Sequence, residues 1–189
     1  MTRIIAGQAR GRRLRTPTGD RTRPTSDRVR EALFSSLEAS LGSLAGVRFL
    51  DLYAGSGAVG LEARSRGAGL VTLVEHDHRT ASVIRDNARS LGYADVEIVA
   101  TTVARALAAV PPTPYDVVFA DPPYALADES VRRLLEALVA GWVAPGTLVV
   151  LERSSRDTEP SWPEGLVAER SRRYGETTLW YGRATSEPD

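Results

Sequence analysis

Cysteine is absent from the 189 residues, and histidine occurs only at His76 and His78. Disulfides and thiolate metal sites are therefore excluded. Two histidines alone do not make a typical zinc site, so no metal is expected. Lysine is also missing, and all 24 basic residues are arginine, whose planar guanidinium suits phosphate forks and base stacking. No apolar run reaches the roughly 18 residues of a membrane span, and the opening MTRIIAGQARGRRL lacks the roughly 7–15-residue apolar stretch of an export signal. Neither membrane insertion nor export is indicated, and a cytoplasmic protein is expected. Low-complexity runs and repeats of fixed period are absent too.

A chain of this length fits one domain able to bury roughly 70% of its unfolded surface, with room for a small appendage. Its net charge of zero conceals a division. Residues 1–30 hold nine arginines against Asp20 and Asp27, a net of +7, so the rest of the chain carries −7. The basic end is either a polyanion-binding arm or a solvated tail. Residues 1–22 are expected to form a basic arm, 23–183 the main domain and 184–189 a frayed tail.

The most informative stretch is VRFLDLYAGSGAVGLEA, residues 47–63. It reads as a buried strand, an acid at its carboxyl end (Asp51), a glycine turn and the start of a helix, which is the form of a nucleotide-type ligand site. Gly55-Ser56-Gly57-Ala58-Val59-Gly60 is literally G-x-G-x-x-G with Glu75 twenty residues on, so a dinucleotide site fits the letters. Asp51, four residues before Gly55, would oppose a pyrophosphate but suits a ligand bearing an ammonium group. Asp-x-x-x-Gly-x-Gly resembles motif I of the class I methyltransferases, in which the loop holds the methionine end of S-adenosylmethionine. In either reading Glu75 offers two carboxylate oxygens to a ribose diol.

The periodicities predict short strands at 3–6 and 12–15, then a helix from a Thr25, Ser26 or Asp27 cap to about 41. After the 47–50 strand, strands near 70–75, 96–99, 115–120 and 146–152 alternate with helices near 58–66, 79–91, 102–109 and 129–140. Two helix-free strands, 166–173 and 176–182, follow. This is an α/β chain with a doubly wound, mostly parallel, seven-stranded Rossmann-like sheet, ending in an antiparallel hairpin and preceded by a small β-hairpin arm. Asp51, Glu75 and Asp121 all fall at carboxyl ends of strands, where such sheets bind ligands.

Directly after the strand YDVVFA comes Asp121-Pro122-Pro123-Tyr124. It resembles motif IV of the methyltransferases that modify exocyclic amino groups of adenine or guanine. The residue types suit that chemistry, because a purine's exocyclic amine has its lone pair delocalised into the ring. Accepting its two N–H groups at Asp121 and the Pro122 carbonyl favours a pyramidal nitrogen and frees the pair. The prolines stiffen the loop and remove donors, and Tyr124 offers a face for an extruded base.

In their order, RIIAG, RGRRL, RPTSDRVREALF, DLYAGSGAVGLEA, DPPY and RRYGET resemble the bacterial small-subunit ribosomal RNA guanine-N2 methyltransferase family across nearly the whole chain. The resemblance implies a class I methyltransferase fold, S-adenosylmethionine as cofactor, and guanine 966 of 16S rRNA as target in assembled or assembling small subunits. It places Arg23, Pro24 and Thr25 beside the cofactor, the loop Tyr53, Ala54, Gly55, Ser56 and Gly57 with Asp51 at its methionine end, and Glu75 at its ribose. Asp121 to Tyr124 then lie at the base, Asp121 also bordering the cofactor. Many class I enzymes carry an acid after the third strand for the adenine amine. Here the segment is Ala100-Thr101-Thr102-Val103, so Thr101 or a backbone group takes that place. Arg3, Arg10, Arg12, Arg13, Arg15 and Arg23 are the expected RNA contacts, and a monomer is expected. Deleting residues 1–20 should abolish RNA methylation while sparing the cofactor. DPPY alone does not separate a guanine target from a DNA adenine-N6 methyltransferase, and Tyr174-Gly175-Glu176-Thr177 has no derivable role beyond a hairpin turn near the rim of the site.

Overall fold

The computed structural model describes residues 1–19 and 25–186. The chain divides into two units, Met1–Val103 and Ala104–Asp189. The first holds β1 (Thr2–Arg3), β2 (Arg13–Leu14), α1 (Asp27–Leu41), β3 (Arg48–Leu52), α2 (Ala58–Ser65), β4 (Leu70–Val74), α3 (His78–Leu91) and β5 (Glu97–Val99). α4 (Val103–Leu107) follows. The second unit continues with β6 (Tyr115–Ala120), α5 (Asp128–Val139), β7 (Val143–Ser154), β8 (Leu166–Tyr174) and β9 (Thr177–Ala184). β3 to β9 all belong to one seven-stranded sheet, while β1 and β2 form a separate pair.

In the first unit β3, β4 and β5 are parallel, with Arg48 opposite Leu70 and Thr72 opposite Glu97. Phe49, Leu50, Leu52, Val71, Leu73 and Val74 are buried, as a strand covered on both faces requires. Ser26 caps α1, its Oγ accepting from Val29 N at 3.2 Å, and Val29, Leu33 and Leu37 bury the helix's apolar stripe. Arg30, on the same helix, is fully buried. It donates to Arg3 O at 2.7 Å and to Asp27 Oδ1 at 2.6 Å, and burial pulls its pKa below the ordinary guanidinium value.

The two arm strands are shorter than their sequence suggests, two residues each. The amides of Ile5 and Ala6 turn away from the pair and donate to Glu62 Oε2 and Oε1 at 2.9 and 3.0 Å. Two two-residue strands cannot stand alone. The arm is held instead by Ile4, Ala9 and Leu14, which bury against Ala58, Leu61, Ala88 and Tyr93. Ser65 adds two bonds, its Oγ accepting from Ala9 N and donating to Ala6 O. Arg3, Arg10, Arg12, Arg13 and Arg15 remain exposed. The arm thus has one apolar face turned inward and one basic face turned outward.

In the second unit β6 and β7 are parallel, β7 and β9 antiparallel, and β8 and β9 form the expected hairpin, with Tyr174 opposite Thr177. Val131, Leu134, Leu135 and Leu138 bury one face of α5 at helical spacing. Trp142 stacks on Tyr115 at 5.8 Å between ring centroids, and its Nε1 donates to Leu107 O. β7 runs longer than its apolar core because it pairs with β9 over seven residues, from Leu148 opposite Arg183 to Ser154 opposite Thr177. Ala184, expected in the tail, ends β9 instead. Among the described residues no helix is long and apolar enough to cross a membrane.

Candidate active site

Three of the expected acids lie at carboxyl ends of strands: Asp51 as the penultimate residue of β3, Glu75 directly after β4 and Asp121 directly after β6. In the first unit Asp51 is buried, and its Oδ2 accepts from Gly60 N at 2.9 Å. Burial pushes its carboxyl up to about 7. The Gly60 hydrogen bond works against that rise, and the neighbouring Glu75 charge adds to it. Glu75 is likewise buried, its Oε2 accepting from Gly55 N at 2.9 Å and its Oε1 from Asp77 N at 3.0 Å. Oε2 retains a second lone pair for a hydroxyl, while Oε1 also lies 3.2 Å from His76 Nδ1.

The loop between these acids turns sharply. Tyr53 has φ 60°, left-handed in a non-glycine residue, a strain typical of ligand-binding loops. Gly57, at φ 81°, starts α2, and an added Cβ there would meet Ile84 Cγ2 at 2.9 Å. One at Gly60 would meet Leu73 Cδ2 at 2.6 Å. These two glycines are required by packing. A Cβ on Gly55 would meet nothing within 4 Å, so the half-buried Gly55 faces open space where a ligand can approach the backbone. Ser56 is buried between them, and Tyr53 and Ala54 are half-buried. A buried acid half-ionised near pH 7 (Asp51), the Glu75 carboxylate and an open glycine turn are groups that could receive the methionine and ribose parts of S-adenosylmethionine.

Thr101 is half-buried in the bend after β5, its amide donating to Val99 O at 3.1 Å. Thr25 directly precedes the α1 cap. Arg23, expected at both cofactor and RNA, lies outside the described residues, as does Pro24.

In the second unit Pro122 is buried, while Pro123 and Tyr124 are exposed, Tyr124 at 46%. Sequence reasoning missed what braces this loop. Arg153 on β7, 3% exposed, donates from Nη1 to Pro123 O at 3.1 Å and from Nη2 to Leu126 O at 2.9 Å, and pairs with Asp157 at 3.4 Å. The Pro122 carbonyl has no partner among the described residues. The Tyr124 hydroxyl lies 3.3 Å from Thr177 Oγ1, so the Tyr174-Thr177 turn adjoins the DPPY loop.

The expected arm arginines are only partly committed. Arg12 Nη2 donates to Ser90 O at 2.6 Å, Arg3 Nε lies 3.9 Å from Asp27, and Arg15 Nη1 lies 3.9 Å from Asp86. The outward basic face can therefore exchange weak surface contacts for phosphate.

The chain is 35% identical over 191 residues to "Ribosomal RNA small subunit methyltransferase D" of Escherichia coli (strain K12), covering 99% of this chain and 93% of that protein. The solved structure of yhhF from Escherichia coli matches it with a TM-score of 0.85 at 32% identity, over 97% of this chain and 98% of that one. At 14% identity, magnesium protoporphyrin IX methyltransferase from Synechocystis PCC 6803 still shares the fold, with a TM-score of 0.67 over 84% of this chain and 79% of that one. The fold is that of the class I methyltransferases. A family model described as "Conserved hypothetical protein 95" matches residues 2–183, so the chain belongs to that family.

Proposed function

We propose that the protein transfers a methyl group from S-adenosylmethionine to the exocyclic N2 of a guanine in 16S rRNA, the guanine 966 type, within assembled or assembling small subunits. The observation that carries this reading is the Asp121–Tyr124 loop at the end of β6, with an exposed aromatic ring and, beside the acid, a Pro122 carbonyl that has no partner among the described residues. The names of the relatives support rRNA as substrate. The guanine, its N2 and the subunit context are inferred from the loop chemistry and the family resemblance.

In this reading S-adenosylmethionine supplies a methyl group made electrophilic by its sulfonium. Asp51 and the open turn at Gly55 receive its methionine end, and Glu75 its ribose. Arg153 fixes the Pro123 and Leu126 carbonyls, so that Asp121 and the Pro122 carbonyl accept the two amine N–H bonds. The nitrogen is then pyramidal with its lone pair exposed. After transfer the cationic nitrogen is a strong acid, and its proton passes to Asp121 or to water, so no strong base is required. Positioning and electrostatics supply most of the acceleration. Arg3, Arg10, Arg12, Arg13 and Arg15 hold phosphates, residues 23–183 form the methyltransferase domain, and the enzyme works as a cytoplasmic monomer.

The test is incubation with methyl-labelled S-adenosylmethionine and small subunits lacking the modification, alongside naked 16S rRNA and duplex DNA, followed by chromatography of the labelled nucleoside. Label in N2-methylguanosine is expected. Label in N6-methyladenine from DNA would replace the reading with a DNA enzyme.

A further inference from the structure

Asn87 lies on α3, 2% exposed, in a helix face otherwise buried through Ala81, Ile84 and Ala88. A buried amide is costly unless its groups are bonded. Here they are bonded to two segments far apart in sequence. Oδ1 accepts from Arg15 N at 2.8 Å, and Nδ2 donates to Arg15 O at 2.9 Å and to Ser56 O at 3.0 Å. The side chain pairs with Arg15 as a neighbouring strand would, and its remaining N–H holds the carbonyl between Gly55 and Gly57. The Arg15 side chain is 80% exposed, in the outward basic face of the arm, with Asp86 at 3.9 Å.

One side chain therefore ties an expected RNA contact to the loop expected to hold the methyl donor. A purely apolar residue would fill the same space without the tie. We propose that Asn87 is a positioning residue that couples RNA engagement by the arm to donor binding at the glycine loop. The inference rests on the methyltransferase reading above. A phosphate held by Arg15 fixes the Arg15 backbone, the backbone fixes the Asn87 amide, and the amide fixes the Ser56 carbonyl and the turn around it. Each ligand lowers the ordering cost of the other, and the effect is equal in both directions. The arm is thus not separable from donor binding: removing residues 1–20 deletes the Arg15 tie and strips Ile4, Ala9 and Leu14 from their shared core.

The test uses the full chain. The affinity for S-adenosylhomocysteine, which cannot transfer a methyl group, is measured with and without saturating unmodified small subunits. The affinity for the subunits is measured with and without S-adenosylhomocysteine. Both should tighten by the same factor, within about 5- to 150-fold. Asn87→Asp keeps the shape but sets an oxygen against the Arg15 and Ser56 carbonyls, and should bring the factor close to one. Asn87→Leu should do the same. Amide hydrogen exchange on the wild type needs no variant: S-adenosylhomocysteine alone should slow exchange at Arg15. Affinities indifferent to one another, unchanged exchange at Arg15, or full coupling in Asn87→Asp would each overturn the coupling while leaving methyl transfer standing. Failure of the wild type to bind S-adenosylhomocysteine at all would overturn the functional reading and the coupling with it.

Discussion

The glycine loop after β3 and the DPPY loop after β6 both follow buried strands, yet they are braced by groups of opposite charge. The first is held through its amides, with Asp51 accepting from Gly60 N and Glu75 from Gly55 N. The second has lost amides to two prolines and is held through its carbonyls, with Arg153 donating to Pro123 O and Leu126 O. In each case the brace opposes the polarity of the backbone groups it restrains. The acid-braced loop sits on a buried negative site suited to an ammonium group. The cation-braced loop has its surplus acceptors absorbed and leaves the Pro122 carbonyl, next to Asp121, for an amine.

The sharpest way to break this comparison is Asp121→Ala, which should lower transfer by about 10²- to 10⁴-fold while S-adenosylhomocysteine affinity is unchanged. Label incorporation alongside calorimetric binding separates the two, and an active variant would remove Asp121 from the chemistry. Next in size is Glu62→Ala. Glu62 is fully buried, accepts from Ile5 and Ala6 N–H, and pairs with Arg66 at 2.9 Å. Its loss leaves two amides unpaired and Arg66 with only Glu38, at 3.4 Å, as its counter-charge, and should cost about 1–3 kcal/mol in urea unfolding. Arg153→Ala tests the cation brace: kcat should fall about 10- to 100-fold through loop misplacement, with donor affinity intact.

Asp51 makes the acid-braced side pH-sensitive. Its carboxyl titrates near 3.8 when unfolded and is raised to about 7 when folded. Between those values the unfolded chain has lost the proton that the folded chain still holds, so this group's contribution to stability falls as pH rises from about 3.8 to about 7. Donor binding runs the other way, because the ammonium group requires the ionised form. Affinity should rise about tenfold per pH unit up to pH ~7 and level off above it. A flat profile between pH 5.5 and 8.5 would separate Asp51 from the donor.

The sheet and helices were legible because their apolar periods are set locally. Val131, Leu134, Leu135 and Leu138 announce α5, and YDVVFA announces β6, with no knowledge of partners. The site was legible where glycines and prolines punctuate the chain. The braces were not. Glu62 shortens the arm strands from 57 residues away, and Arg153 reaches 30 residues back to Pro123 O. Asn87 left one trace, a polar residue three positions after Ile84 and beside Ala88 in a buried stripe, where an amide needs a partner. Its partners, Arg15 and Ser56, lie 72 and 31 residues distant, beyond any periodicity.

The smallest expected effect bears on the Tyr174-Thr177 turn. If the Tyr124 ring stacks on the base, its angle matters, and the hydroxyl 3.3 Å from Thr177 Oγ1 is the contact that sets it. Tyr124→Ala should weaken base capture by about 1–3 kcal/mol. Tyr124→Phe keeps the ring and loses only the hydroxyl bond, so RNA capture should weaken by about 0.5–1.5 kcal/mol, about 2- to 12-fold. Thr177→Val should give the same loss, and the double variant no more than either alone, because both remove one bond. Additive losses would mean that the hydroxyl and Thr177 act separately, and the turn would then be a strand connection with no part in presenting the ring.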